Sequence, residues 1–530
     1  MRRRTQLSVA AMAATVLLIS ACGDAPESRG SSPEKGTLPT SVALEEGYDE
    51  NAELNFGFAV YATSWDPLMG LSDYDMTTLY PVYDRLITFD AAGELQPMLA
   101  TDWELGEDGK SITLTLREGV TFSDGEPFNA DAVKQNLDRA RVAPSKITEQ
   151  VSSITNVEAL DEYTVRIDVD GRINLVLGLL AQRAGMMVSP KAIASGTLNE
   201  TPVGIGPYVA TELVPGNVAR FKKTPDYWDP DAQRVATMNY YHMPDAQTRL
   251  NALLSGELNV ADLQADQISS AQDDSSTVIA GGMSSLTYLV VNNSDEPFSD
   301  PQVRLAMNLA IDRATIGEGL GEGYCDPAIQ PWPSSSLAYN ESVGDGSEAW
   351  PYDPEKAKEL LADAGYPDGF EMDIATSNIT FYTSLTEIVQ NQFADIGITV
   401  NILPSTRPEV VEKFQVQKSV QGAVQAMPAA VDPDQSATLL YEPGTFNNPG
   451  DPLPENMTTL LQQAGDEVDP AKRNELYSEF IDLTIDEPTS FMPICITQTV
   501  LAMQPGVSGV DVFDSSVRDF RGTAIDPTQE

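Results

Sequence analysis

Histidine is almost absent: His242 is the only one in 530 residues. That excludes two-histidine metal motifs and leaves any histidine-based triad resting on His242 alone. Three scattered cysteines cannot build a four-thiolate zinc site. Basic residues are scarce too, 32 Lys and Arg against 79 Asp and Glu, for a net charge of −47. Such a surplus repels nucleic-acid phosphates and anionic lipid headgroups. It reads as a solvated, soluble surface rather than as a ligand signature. Beyond residue 22 there is no apolar run of the about 18 residues that a membrane-spanning helix needs.

The nucleotide and hydrolase motifs also fail. Gly109-Lys110-Ser111 has Glu104 where a P-loop needs its first glycine, and it leads into a strand rather than a helix. Gly506-Val507-Ser508-Gly509 is one residue short of a nucleophile elbow. Ser32-Pro33-Glu34-Lys35 lies in a Gly/Pro/Ser-rich stretch, and no EF-hand loop occurs. His242, beside Tyr240, Tyr241 and Met243, reads as a packed strand-edge residue. No pair among the 79 acids stands out as a catalytic pair.

What is present is globular: 42% hydrophobic and 21% charged, enough chain for about three or four domain-sized units. Residues 1–22, MRRRTQLSVAAMAATVLLISAC, place three arginines before a short apolar stretch and small residues, the layout of a signal peptide. The ending Ile19-Ser20-Ala21-Cys22 resembles the lipobox of bacterial lipoproteins. Residues 1–21 are therefore expected to be removed and Cys22 to carry lipid. Residues 22–47 read as a flexible, lipid-anchored tether. Cleavage removes three basic residues and no acid, taking the charge to −50. Cys325 and Cys495 are then left, and an even pair in an oxidising compartment points to a possible disulfide.

Hydrophobic periodicity alternates between 2 and 3.6, giving a mixed α/β chain. Residues 55–60, 111–117 and 163–169 read as strands. Asp300-Pro301 and Asp353-Pro354 read as an N-cap followed by a first-turn proline, each opening an amphipathic helix. Residues 385–396 read as a third helix, with Gly397 past its end.

Several segments, in order, resemble the extracellular solute-binding proteins of ABC importers, family 5, the dipeptide and oligopeptide type. They are YDRLI at 83–87, PMLATDW at 97–103, LTLREGVTFSDGEPF at 114–128, and Val203-Gly204-Ile205-Gly206-Pro207-Tyr208 with Asp226-Tyr227-Trp228. Arg249, Pro297-Phe298-Ser299-Asp300 with Arg304 and Arg313, the 353–366 segment, Asp432-Pro433-Asp434 and RNELY at 473–477 continue the series. Many of these residues are ordinary turn formers, so the blocks read as structural first.

The resemblance implies an α/β, two-lobed periplasmic-binding-protein-like fold of the class with an extra inserted subdomain, its lobes joined by a two-strand hinge. Lobe I would comprise 48–75, 190–291 and 492–530, with 76–189 inserted, and lobe II would be 292–491. The implied function is capture of a small solute in the interlobe cleft, peptide by default, and delivery to ABC permease and ATPase subunits. The chain would be a monomer, held by the lipid on Cys22 at the outer face of the cytoplasmic membrane. No catalytic residue, metal, cofactor or nucleic acid is expected.

The ligand pattern departs from the peptide binders in one place. Where those commonly carry an aspartate for the peptide's amino terminus, the stretch before Asp432 is AMPAAV, with Ala429 at the aspartate's place. A buried ammonium without a counter-ion is costly. A non-peptide solute such as an oligosaccharide is therefore the alternative, and a surface lipoprotein hydrolase a remote one. Candidate ligand-binding residues are Tyr61, Trp65, Trp332, Asn378, Tyr382, Met427, Pro428, Ala429, Asp432, Phe446 and Asn447. Ordinary packing is the competing account of each.

Overall fold

The computed structural model describes residues 38–530, apart from 71–72, 429, 431, 444, 446–447, 449, 451, 516, 527 and 529–530. Cys22, Ala429, Phe446 and Asn447 lie outside the described residues. The strands that build the fold are β1 (Glu53–Phe58), β2 (Ala100–Leu105), β3 (Ser111–Leu116), β4 (Ile154–Ala159), β5 (Thr164–Val169), β6 (Tyr208–Val214) and β7 (Val218–Lys223). They continue as β8 (Thr237–His242), β9 (Val260–Asp262), β10 (Thr277–Val291), β11 (Glu371–Ser377), β12 (Thr399–Ser405), β13 (Gly422–Pro428) and β14 (Phe491–Met503).

One sheet runs through the molecule in the order β12-β11-β13-β10-β14-β9-β1-β8-β7-β6. Each flank has a parallel part: β11 pairs parallel with β12 and β13, and β1 with β8 and β9, while β7 and β6 extend the second flank antiparallel. The long strands β10 and β14 lie antiparallel in the middle and belong to both flanks. A second sheet, β2-β3-β5-β4, stands apart. In β3 the apolar residues alternate: Ile112, Leu114 and Leu116 are buried, while Thr113 is half-buried and Thr115 faces out.

The principal helices are α1 (Ala130–Ala140), α2 (Ile173–Leu180), α3 (Pro301–Leu309), α4 (Pro354–Asp363), α5 (Thr380–Asp395), α6 (Arg407–Val411), α7 (Pro433–Tyr441), α8 (Glu455–Asp466) and α9 (Pro470–Asp486). Asp300 and Asp353 cap α3 and α4 from the residue before the proline, accepting from the backbone N–H of Gln302 and Lys356. Helix α5 starts five residues before the expected Leu385. Its apolar stripe, Leu385, Val389 and Phe393, is preceded by a first turn in which Phe381 and Tyr382 are only partly buried against the same cluster.

Separate hydrophobic clusters sit around β1 and β8, around the small sheet with α1 and α2, and on the two faces of the β10–β13 flank. Residues of the family-like blocks staple these together. The Asp84 carboxylate accepts from the Tyr227 hydroxyl, the Trp228 indole and Arg521. Arg304 and Arg313 are buried and donate to backbone carbonyls, and burial lowers Arg313 to about 9. His242 ends β8 with its ring nitrogens on the Gly216 and Ala59 carbonyls, the strand-edge role expected of it. Cys325 and Cys495 are joined as a disulfide, their Cα atoms 5.4 Å apart. Ser41–Val42, within the stretch read as tether, pairs with Val510–Asp511. Ordered chain therefore begins before residue 48.

Candidate functional site

Parallel strands gather functional groups at their carboxyl ends, where the following loops leave the sheet. Strands β11, β12 and β13 end at Ser377, Ser405 and Pro428. Strands β1, β8 and β9 end at Phe58, His242 and Asp262. Between the flanks, the β10–β14 register breaks between Gly281 and Ser285. Gly282 has φ +58, and a side chain there would run into the Phe513 carbonyl, so this crossing point requires glycine.

Ser285 follows the break. Its hydroxyl is 2.8 Å from that of Thr497 on β14, and Pro428 is its partner across β13. Two tyrosines from opposite flanks share it as a side-chain hydrogen-bond partner: Tyr74, which follows β1, and Tyr382 in α5. Burial is the main influence on both phenols and raises both, so they stay protonated and able to donate. The opposing influence of the Arg407 guanidinium reaches Tyr74, Tyr382 and Tyr288 alike. Behind Tyr74, Arg518 is paired with Asp262, its Nε donating at 2.8 Å.

A cavity of 380 Å³ opens beside the same crossing, between the small-sheet subdomain and the β10–β13 flank. Trp103, Asn174, Met283, Trp332, Asp432 and Arg473 are among the residues around it. That volume suits a small ligand. The Trp332 ring packs on Tyr477 with centroids 4.9 Å apart, and its indole N–H donates to the Pro433 carbonyl at 3.3 Å. Arg473 holds Asp432 bidentately, Nη1 to Oδ2 at 2.7 Å and Nη2 to Oδ1 at 2.6 Å. Among the described residues no group of three His, Cys, Asp or Glu side chains is placed to hold a metal ion.

Of the residues expected from sequence, Tyr382 and Pro428 meet at Ser285, and Trp332 and Asp432 meet at the cavity. Asn378 leaves the end of β11 exposed, its N–H donating to the Ser405 carbonyl. Met427 is buried, opposite Leu286. Tyr61 and Trp65 pack edge-on in the core around β1, where Trp65 is 5% exposed and touches Phe221. Tyr74 and Ser285 escaped the sequence reading, and Arg473 entered it only within the RNELY block. The Gly-Gly pair at 281–282 followed by Ser285 was the available signal for a crossing strand.

Residues 94–448 match the family model of bacterial extracellular solute-binding proteins, family 5 Middle. The glutathione-binding protein GsiB of Escherichia coli (strain K12) is 29% identical over 463 residues, 84% of this chain and 89% of that one. The dipeptide-binding protein from Pseudoalteromonas sp. SM9913, solved with Met-Leu, superposes with a TM-score of 0.77 at 24% identity, covering 90% of this chain and all of that one. NikA from Brucella suis, solved with Fe(III)-EDTA, gives a TM-score of 0.79 at 22% identity over 90% of this chain and all of that one. The two structural likenesses carry the two-lobed α/β fold, and the family match covers most of the chain. The chain belongs to the bacterial extracellular solute-binding proteins of family 5, which deliver solutes to ABC importers and are not enzymes.

Proposed function

We propose that this chain captures a small solute in the cleft around Ser285 and hands it to an ABC permease driven by ATPase subunits. Peptide is the default solute. The carrying observation is the convergence of Tyr74 and Tyr382, from opposite flanks of the sheet, on one serine of a strand that belongs to both. A group bridging the flanks binds one arrangement of them better than another, and that difference is what shifts a population toward closure. We place the division of the lobes where β10 and β14 cross, at Gly281–Ser285 and around Thr497–Thr499, in place of the 291/292 and 491/492 bounds expected from the sequence. The small-sheet subdomain is the insertion. Lipid attachment at Cys22 and a place at the outer face of the cytoplasmic membrane belong to the same proposal.

GsiB binds glutathione and the Pseudoalteromonas protein was solved with Met-Leu, both peptides, which supports the default. Ala429 at the place of the usual aspartate favours a solute without a free ammonium there, such as an oligosaccharide. A thermal-shift series with di- and tripeptides against oligosaccharides tests the choice. A true ligand at a hundred times its Kd adds about 2.7 kcal/mol. Peptides are expected to raise Tm; a rise with oligosaccharides alone overturns the peptide reading.

A further inference from the structure

We propose that Asp434 is a proton switch for the seam between the small-sheet subdomain and helices α7 and α8. A proton on its carboxyl favours the docked arrangement, in which both sides of the seam wall the 380 Å³ cavity, and ionisation loosens it. The switch operates with or without solute.

Asp434 stands in the first turn of α7, and Thr438 and then Glu442 follow it at helical spacing on the same face. Arg172 of the subdomain lies along this stripe. Its Nη1 donates to the Thr438 hydroxyl, its Nη2 donates to Glu442 at 2.5 Å, and its Nε stays 3.8 Å from the Asp434 carboxylate. That last contact is an ion pair too long for a hydrogen bond. A cavity of 400 Å³ opens over the same stripe, with Arg172, Gln435, Thr438, Glu442 and Asp466 around it. Arg172 is therefore the cover between that water-accessible space and Asp434. On the inner side Gly465 of α8 closes in, where a Cβ would lie 3.0 Å from the Asp434 Oδ1.

The Asp434 side chain is fully buried, and no donor reaches either of its oxygens. The charged and titratable groups around it are Asp432 and Glu442 at the two ends of α7, Arg473 and Tyr477 from α9, Asp466 from α8 and Arg172 from the subdomain. Arg473 is spent on Asp432, and Asp466 on the Arg172 backbone N–H. Glu149 and Asp170 of the subdomain line the outer part of the same cavity and add to the negative field. An ionised Asp434 is thus buried without a hydrogen bond and opposed by Asp432 and Glu442, a cost that the neutral acid does not carry. Burial pushes the carboxyl up to about 6 from its ordinary 3.8. Opening the seam takes Arg172 away and lets water reach the stripe, which returns the carboxyl toward its ordinary range. The docked arrangement therefore holds the proton more tightly. Its gain from that proton is complete below about pH 4 and is lost as pH rises through about 6. Between pH 7 and pH 5 docking should gain about tenfold.

The test is single-molecule energy transfer on the full chain carrying C22A, with dyes at L160C, in the β4–β5 turn of the small sheet, and at V416C, beyond α6. Both positions are exposed. The docked-to-undocked ratio of this labelled parent is expected to rise about tenfold from pH 7 to pH 5. D434N keeps every other charge and should stay docked, its ratio changing less than about twofold. R172A strips the cover from Asp434 and should be mostly undocked at both pH values, with no such step. Q182A removes the bond to Gln435 across the seam without touching the stripe of Asp434, Thr438 and Glu442. It should show the tenfold step from a lower docked fraction, which keeps the step visible if the parent is docked throughout. An equal step in the parent and in D434N overturns the proposal, because other groups then carry it. Absence of a step in both the parent and Q182A also overturns it, as does a fall in docking on acidification.

Discussion

Asp432 and Arg473 form the most committed ion pair near the cavity, with side chains 12% and 6% exposed. A buried pair adds little net stability over a well-packed apolar replacement. Removing one member, however, strands the other charge at a cost of about 3–5 kcal/mol. R473M is therefore expected to lower the unfolding free energy by about that amount, read by urea denaturation. Its neighbour Asp434 is fully buried, and neither carboxylate oxygen has a hydrogen-bond partner. Burial pushes its carboxyl up to about 6 from 3.8, against the pull of Arg172 3.8 Å away and of Arg473, and with a push from Asp432 and Glu442. The folded state then holds a proton that the unfolded chain releases. That stabilisation is complete below about pH 4 and is lost as pH rises through about 6. D434N should remove this slope and exceed wild type at pH 7 by about 3 kcal/mol. Parallel stability–pH curves for the two proteins would refute the assignment.

At the scale of elements, α2 of the small-sheet subdomain docks on α7 and α8. Arg172, at φ 53, turns the chain into α2 and reaches across to Thr438 and to Glu442 at 2.5 Å, while its backbone N–H donates to Asp466 at 2.8 Å. Asn174 donates to the Glu467 carbonyl and Gln182 to Gln435. These bonds lie away from Ser285 and bias the subdomain toward this docked arrangement. R172A removes the contacts to Thr438, Glu442 and Asp434 together. Its unliganded radius of gyration by small-angle scattering should rise, and its apparent affinity for any solute should fall by the fraction of docked molecules lost. Superimposable scattering curves would show that the contacts do not hold the arrangement. Helices such as α3 and α4 were legible in sequence because an Asp-Pro pair states its own cap and first turn. The cleft was legible only in part. Tyr382 follows a strand end and Pro428 is one, and periodicity and family position can place both. Tyr74 sits in a segment without periodicity, and what gives it meaning is Ser285, more than two hundred residues further along the chain.

At the scale of the whole molecule, the acid surplus sets a mechanical problem for a lipid-anchored protein. A body at −50 is repelled by an anionic membrane, yet the proposed lipid on Cys22 holds it there. The Pro39 and Thr40 carbonyls accept from the Ala280 and Val512 N–H groups, so the tether expected from the sequence ends before them. The Debye length at physiological salt is about 8 Å, so repulsion between the membrane and the acidic body is largely screened beyond that distance. Attachment should then depend on the acyl chains and hardly on ionic strength. Wild-type protein expressed in a lipoprotein-processing bacterium is expected to stay with the membrane pellet through a wash in about 1 M salt, about seven times physiological strength, and to leave it in detergent. C22A should appear in the soluble fraction at every salt concentration. Salt release of the wild type, or membrane retention of C22A, would mean that surface charge or a protein partner, not the lipid, holds the molecule in place.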